Sequence, residues 1–211
     1  MNSSQRKEFI SYFRKRLDAL DYFNATFENK IHAEKQSFVD MVNDKKIQPD
    51  NPEFKKAIFK LDCHVLPTFR NCILLGACTF VEDILLRFGI EVIEDFSEQT
   101  RKLKSRNRMS TIRRYLKVLE SQLTIDFTPI NNDLLLIDDI FKIRNAIAHA
   151  WGKVDSCNNH TALRDIMSRR GWVYESEDGY ISFSDVAYAE AIGPVLELVE
   201  HILDSVPVSD E

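Results

Sequence analysis

The sequence predicts a mainly α fold, an up-and-down bundle of long antiparallel helices with one small β-hairpin near residues 172–183, and three observations predict it. Glycine and proline, the residues that most strongly disfavour a helix interior, occur only six times each in 211 residues. Apolar residues recur at intervals of three and four over long stretches, the period of an amphipathic helix. That period changes to a strand-like pattern around one Ser-Glu-Asp-Gly turn near the C-terminal end.

The elements follow in order. From residue 4 to about 43, Phe9, Phe13, Leu17, Leu20, Phe23, Phe27, Ile31, Phe38 and Met41 form one helical stripe with no internal glycine or proline. Ser3 or Ser4 is placed to cap it. Ile47-Gln48-Pro49-Asp50-Asn51-Pro52 is a break, with Asn51 suited to a cap and Pro52 to a first helical turn. The next helix is expected to run to Phe88 and to end at Gly89, with Pro67 kinking or dividing it. A single helix is expected over 97–123, then a loop containing Pro129, then a helix starting at Asp133. Residues 160–170 read as a helix ended by Gly171, and 172–175 with 180–183 as the hairpin. The last helix is expected to start at Asp185 and to hold Pro194 in its middle.

A chain of this length can bury one good-sized core, so one domain is expected over 1–211, with residues 1–46 as the long N-terminal helix and 52–205 as the bundle core. An apolar fraction of 44% beside 29% charged residues belongs to a globular chain and excludes a disordered one. No apolar run approaches the ~20 residues of a membrane span, and the N-terminus lacks the apolar core of a signal peptide. No membrane association and a cytoplasmic location are the expectation. Cys63, Cys72, Cys78 and Cys157 show no C-x-x-C spacing; buried free thiols are expected, with no metal and no cofactor.

The net charge of −5 hides a segregation. Residues 101–170 carry 14 Lys and Arg against 7 Asp and Glu, whereas 171–211 carry no Lys or Arg against 10 acids. Arg101, Lys102, Lys104, Arg106, Arg108, Arg113, Arg114 and Lys117 fall between Glu98 and Glu120 with no acid among them. Cations this dense repel within a helix unless an anion lies nearby, and a phosphate backbone is the natural one. A solvated face, or one paired with the acidic tail, is the alternative. RNA is the partner this stretch implies.

One segment carries chemistry. In Ile143-Arg144-Asn145-Ala146-Ile147-Ala148-His149-Ala150-Trp151-Gly152 an arginine, an amide and a histidine interrupt an apolar run. Arginine offers a permanent planar cation matched to phosphate, and histidine exchanges a proton near neutral pH. The pair suits RNA cleavage by attack of a ribose 2′-hydroxyl on the adjacent phosphate, with Asn145 as an orienting amide. On a regular helix the two side chains point about 140° apart, so they converge only if the helix starts or distorts here, or if a second chain completes the site. Glu82, among Leu74, Leu75, Cys78, Val81 and Leu85, is a carboxylate in apolar surroundings, and Arg144 is its candidate partner.

Arg144-Asn145-Ala146-Ile147-Ala148-His149, preceded by the run 134–141, resembles the R-N-x-x-x-H signature of HEPN domains (higher eukaryotes and prokaryotes nucleotide-binding). The segment 74–85, with Glu82, is similar to that family's earlier core helix, and the resemblance spans roughly residues 55–205. It implies an up-and-down helical bundle, commonly a homodimer whose two motifs face each other across a shared cleft. It further implies a metal-independent endoribonuclease of a toxin–antitoxin, antiviral or RNA-processing system, with an antitoxin or regulatory protein as a further partner. Arg144 would then bind and stabilise the strained phosphate, His149 would move the proton, Asn145 would orient either one, and Glu82 would support them. A non-catalytic HEPN-like module binding RNA, a nucleotide or a protein is the alternative, and a helical adaptor using the long N-terminal helix is a third reading.

Overall fold

The computed structural model describes residues 1–106 and 109–207 and is mainly helical with one small antiparallel two-stranded sheet, as composition and periodicity predict. The helices are α1 (Ser3–Asn43), α2 (Pro52–Lys60), α3 (Leu66–Val92), α4 (Phe96–Arg106), α5 (Thr111–Leu123), α6 (Asn131–Ala150), α7 (His160–Arg170) and α8 (Ala187–Ser205). Strands β1 (Val173–Glu175) and β2 (Ile181–Phe183) lie between α7 and α8 in the chain. The fold groups into two compact units, one of Met1–Leu17, Gly76–Ile143 and Ala189–Glu211, the other of Asp18–Leu75 and Arg144–Tyr188.

In the first unit the stripe of α1 buries Phe9 and Phe13, whose rings meet Phe88 and Phe80 of α3 at 5.4 and 5.5 Å. Ile84, Leu85, Ile112, Leu119, Ile137 and Leu198 complete a core with almost no solvent exposure. Gly89 does not end α3, which continues to Val92. The glycine serves packing instead, because a Cβ there would overlap the ring of Phe96, itself fully buried. The single helix expected over 97–123 is two helices, α4 and α5. Ser110 caps α5, its hydroxyl accepting from Arg113 N–H at 3.3 Å, so a short polar side chain competes with helix continuation where cations already crowd. Helix α6 begins at Asn131, two residues early, because a 3₁₀ turn at Thr128–Ile130 feeds it.

The second unit shows how Pro67 is accommodated. Residues Leu61–Val65 form a π turn in which Leu66 N–H reaches the Leu61 carbonyl, and α3 starts immediately afterwards, with Pro67 in its first turn. The wider turn absorbs a ring that cannot donate a hydrogen bond. Phe27 of α1 stacks on Phe69 at 3.6 Å, and Arg70 forks onto Glu28 while donating to the Phe183 carbonyl at 2.7 Å. Phe23, expected on the buried stripe, is 54% exposed, although its ring lies 5.5 Å from that of Phe69. The hairpin forms in the predicted register region, pairing Val173 with Phe183 and Glu175 with Ile181. The last helix starts at Ala187 and not at Asp185, after Ala187 N–H closes a turn onto Ser184. Of the cysteines, Cys78 and Cys157 are buried as expected, whereas Cys63 and Cys72 are exposed; all four are free thiols.

Candidate functional site

Helix α6 is regular from Asn131 through Ala150, so Arg144 and His149 are carried on uninterrupted helix. Neither a helix start nor a distortion between them brings them together, and their directions differ by about 140°. The apolar face of this segment buries Ile143, Ala146 and Ile147 and leaves Asn145, Ala148 and His149 exposed, with Arg144 half-buried between. The Arg144 Nη1 donates to Asn145 Oδ1 at 2.9 Å, and its Nε is buried with no hydrogen-bond partner among the described residues. A buried donor left unpaired costs about 1–3 kcal/mol. His149 forms no side-chain hydrogen bond or ion pair among the described residues, so the structure joins Arg144 to Asn145 and leaves His149 open to solvent.

The helix ends in a tight reversal. Trp151 at φ +54° and Gly152 at φ +76° are both left-handed, and Lys153 N–H closes onto the Ala150 carbonyl at 2.9 Å. From there the chain joins the hairpin: Ile181 N–H donates to Gly152 C=O at 2.8 Å and Val154 N–H to Gly179 C=O at 3.0 Å. The motif is thus anchored to β2 by backbone hydrogen bonds. Trp151, which sequence reasoning passed over as the end of the motif, is 89% exposed. Its only signal in the sequence was a large aromatic beside a glycine at a helix end.

Glu82 lies half-buried on α3 in the first unit, whereas Arg144, Asn145 and His149 belong to the second. Near Glu82, burial and then the Glu82 charge push the Tyr115 hydroxyl above its usual range. The basic stretch also belongs to the first unit, and three of its cations, Arg101, Lys102 and Arg113, have carboxylate partners among the described residues. Arg101 and Lys102 pair with Glu98 at 2.8 and 3.7 Å. The side chains of Lys104 and Arg106, and Arg108 altogether, lie outside the described residues. Arg113 forks onto Asp138, a hydrogen-bonded pair that raises the arginine's pKa. Arg114 donates to Thr111 Oγ1 at 2.9 Å and to the Thr100 carbonyl at 3.4 Å. Lys117 is exposed and has no hydrogen-bond or ion-pair partner among the described residues, and with Arg113 it lines a cleft of about 520 Å³ that also includes Leu116, Phe127 and Leu134. The pairing of Arg113 with Asp138 was hidden in the sequence because the acid lies in a different helix.

Among the described residues no group of three or more His, Cys, Asp or Glu is placed to hold a metal ion, and no helix is long and apolar enough to cross a membrane. No family model, curated protein or solved structure matches the chain.

Proposed function

We propose that the chain is a metal-independent endoribonuclease of the HEPN type, acting as a two-fold homodimer in which two Arg144–His149 motifs share one cleft. The observation that carries this reading is the uninterrupted course of α6 through both residues, with Arg144 half-buried beside Asn145 and His149 exposed and unpartnered. One helix cannot aim both side chains at one phosphate, so the second chain supplies the missing half. In the reaction the ribose 2′-oxygen bonds to phosphorus and the bond to the 5′-oxygen breaks. His149 takes or returns the proton, and the Arg144 guanidinium holds the phosphate oxygens as negative charge builds. The products carry a 2′,3′-cyclic phosphate and a 5′-hydroxyl. Lys117 and the other cations of 101–117 contact the RNA backbone. A toxin–antitoxin or antiviral role in the cytoplasm, held in check by an antitoxin or regulatory protein, follows from the same reading.

The test is incubation of purified protein with labelled tRNA and mixed RNA in chelator. His149→Ala is expected to slow cleavage by about 10²- to 10⁴-fold, the usual contribution of a general acid-base group. Arg144→Lys fails as well, since an ammonium keeps the charge but loses the guanidinium fork, and Asn145→Ala has a milder effect. Wild-type protein that binds RNA through Arg144 yet cleaves none moves the chain to the binding-module reading.

A further inference from the structure

We infer that the strip formed by Trp151, Lys153, Tyr180 and Tyr174 is a stacking platform for the bases of single-stranded RNA, adjoining His149. The inference rests on the reading of the Arg144–His149 motif as a site that acts on RNA.

The strip follows from backbone pairing. Lys153 is the bridge partner of Tyr180, so the two side chains stand on one face. Tyr174 pairs with Ser182, two residues from Tyr180, which makes the tyrosines diagonal neighbours on that face, about 7–8 Å apart at Cα. Along 151–154 burial alternates, with Trp151 and Lys153 exposed and Gly152 and Val154 buried. The opposite face packs Val154, Val173, Ile181 and Phe183 into the core of this unit. The outward rings remain 89% (Trp151), 49% (Tyr174) and 44% (Tyr180) exposed. Among the described residues no hydrogen bond or ion pair engages the Trp151, Lys153, Tyr174 or Tyr180 side chains.

Trp151 decides the occupant. A left-handed backbone costs a non-glycine residue on the order of 1–3 kcal/mol, and an indole this exposed recovers almost none of that by packing. The strained turn points a flat, wide π surface to solvent within about 7 Å of His149 along the backbone. Aromatic rings beside an exposed lysine, beginning two residues beyond His149 in the chain, suit stacked bases with a phosphate between them. Exposed Glu177 and Asp178 in the hairpin turn repel phosphate and confine the RNA backbone to the Trp151 side. A base stacked on Trp151 fixes the register of the scissile phosphate at the motif.

The experiment uses intrinsic fluorescence, because the chain's only other tryptophan, Trp172, is buried at 4% exposure. Full-length His149→Ala protein, in which cleavage is expected to be about 10²- to 10⁴-fold slower, is titrated with a short oligoadenylate and with inorganic polyphosphate. The same titrations are run with Trp151→Phe added. Oligoadenylate is expected to quench the exposed indole in the first protein and not in the second, and polyphosphate to quench neither. Trp151→Ala is expected to weaken oligoadenylate affinity roughly 5- to 150-fold, the range of one lost base–aromatic stack, with smaller losses for Tyr180→Ala and Lys153→Ala. Oligoadenylate bound at wild-type affinity by Trp151→Ala, with no quenching, overturns the platform even if wild-type protein cleaves RNA. Quenching without cleavage by wild-type protein sustains the platform and sinks the ribonuclease reading. Neither binding nor cleavage overturns both.

Discussion

Asp83 illustrates how a single residue ties this chain's stability to pH. Its carboxylate accepts from the Tyr12 hydroxyl at 2.6 Å and from Arg87 Nε at 3.1 Å, and the Arg87 guanidinium sits 4.4 Å from the Tyr12 ring centroid. Burial alone would raise its pKa, but the tyrosine, Arg87 and Arg16 together hold it below its ordinary 3.8. A carboxyl with a depressed folded-state pKa adds stability above its unfolded value and loses it as pH falls through the folded one. Thermal melts should therefore find Asp83→Asn less stable than wild type at pH 7, with the gap closing below about pH 4. A gap that is constant with pH would mean that the network acts by packing and not by charge.

At the scale of elements, Gly89 marks where a sequence rule and the packed structure part. A glycine late in an apolar helical run reads as a stop, yet α3 runs through it because Phe96 of α4 lies against the missing side chain. Gly89→Ala raises helix propensity while driving a methyl into an aromatic ring that is buried and cannot swing aside. The second effect is the larger, so urea denaturation should show a net loss of about 1–3 kcal/mol. A stabilised variant would mean that the Phe96 ring relocates at little cost. The division of 97–123 into α4 and α5 has a different cause: Ser110 caps α5, and a purely apolar period does not register a cap.

On the scale of the whole molecule, the proposed ribonuclease requires two chains, because α6 holds Arg144 and His149 on diverging directions. Light scattering or sedimentation at micromolar concentration should give twice the 24.5 kDa chain mass, with an interface of at least ~1,200 Å² total buried area containing residues 143–152. Mixing Arg144→Ala with His149→Ala protein should then restore part of the cleavage that each lacks alone, since a mixed dimer holds one intact composite site. A monomer, or a mixture as inactive as its components, would remove the composite site.

What the sequence determined by itself is whatever depends on neighbours a few positions away. The 3–4 spacing of Phe9, Phe13, Leu17 and Leu20, the Asn51–Pro52 start of α2, the Gly171 stop of α7 and the hairpin around Gly179 are local, and the helix, start, stop and turn they predict all form. The Arg144–His149 motif was legible for the same reason, as residue types at short spacing on one helix. Tertiary structure decided what depends on distant partners. It neutralised Arg113 with Asp138 from another helix and turned Gly89 from a terminator into a packing notch. It also paired Lys153 with Tyr180, on the hairpin face that carries Tyr174. Such contacts join residues far apart in the chain, and no periodicity encodes which helix or strand will face which; burial of apolar surface makes that choice when the chain folds.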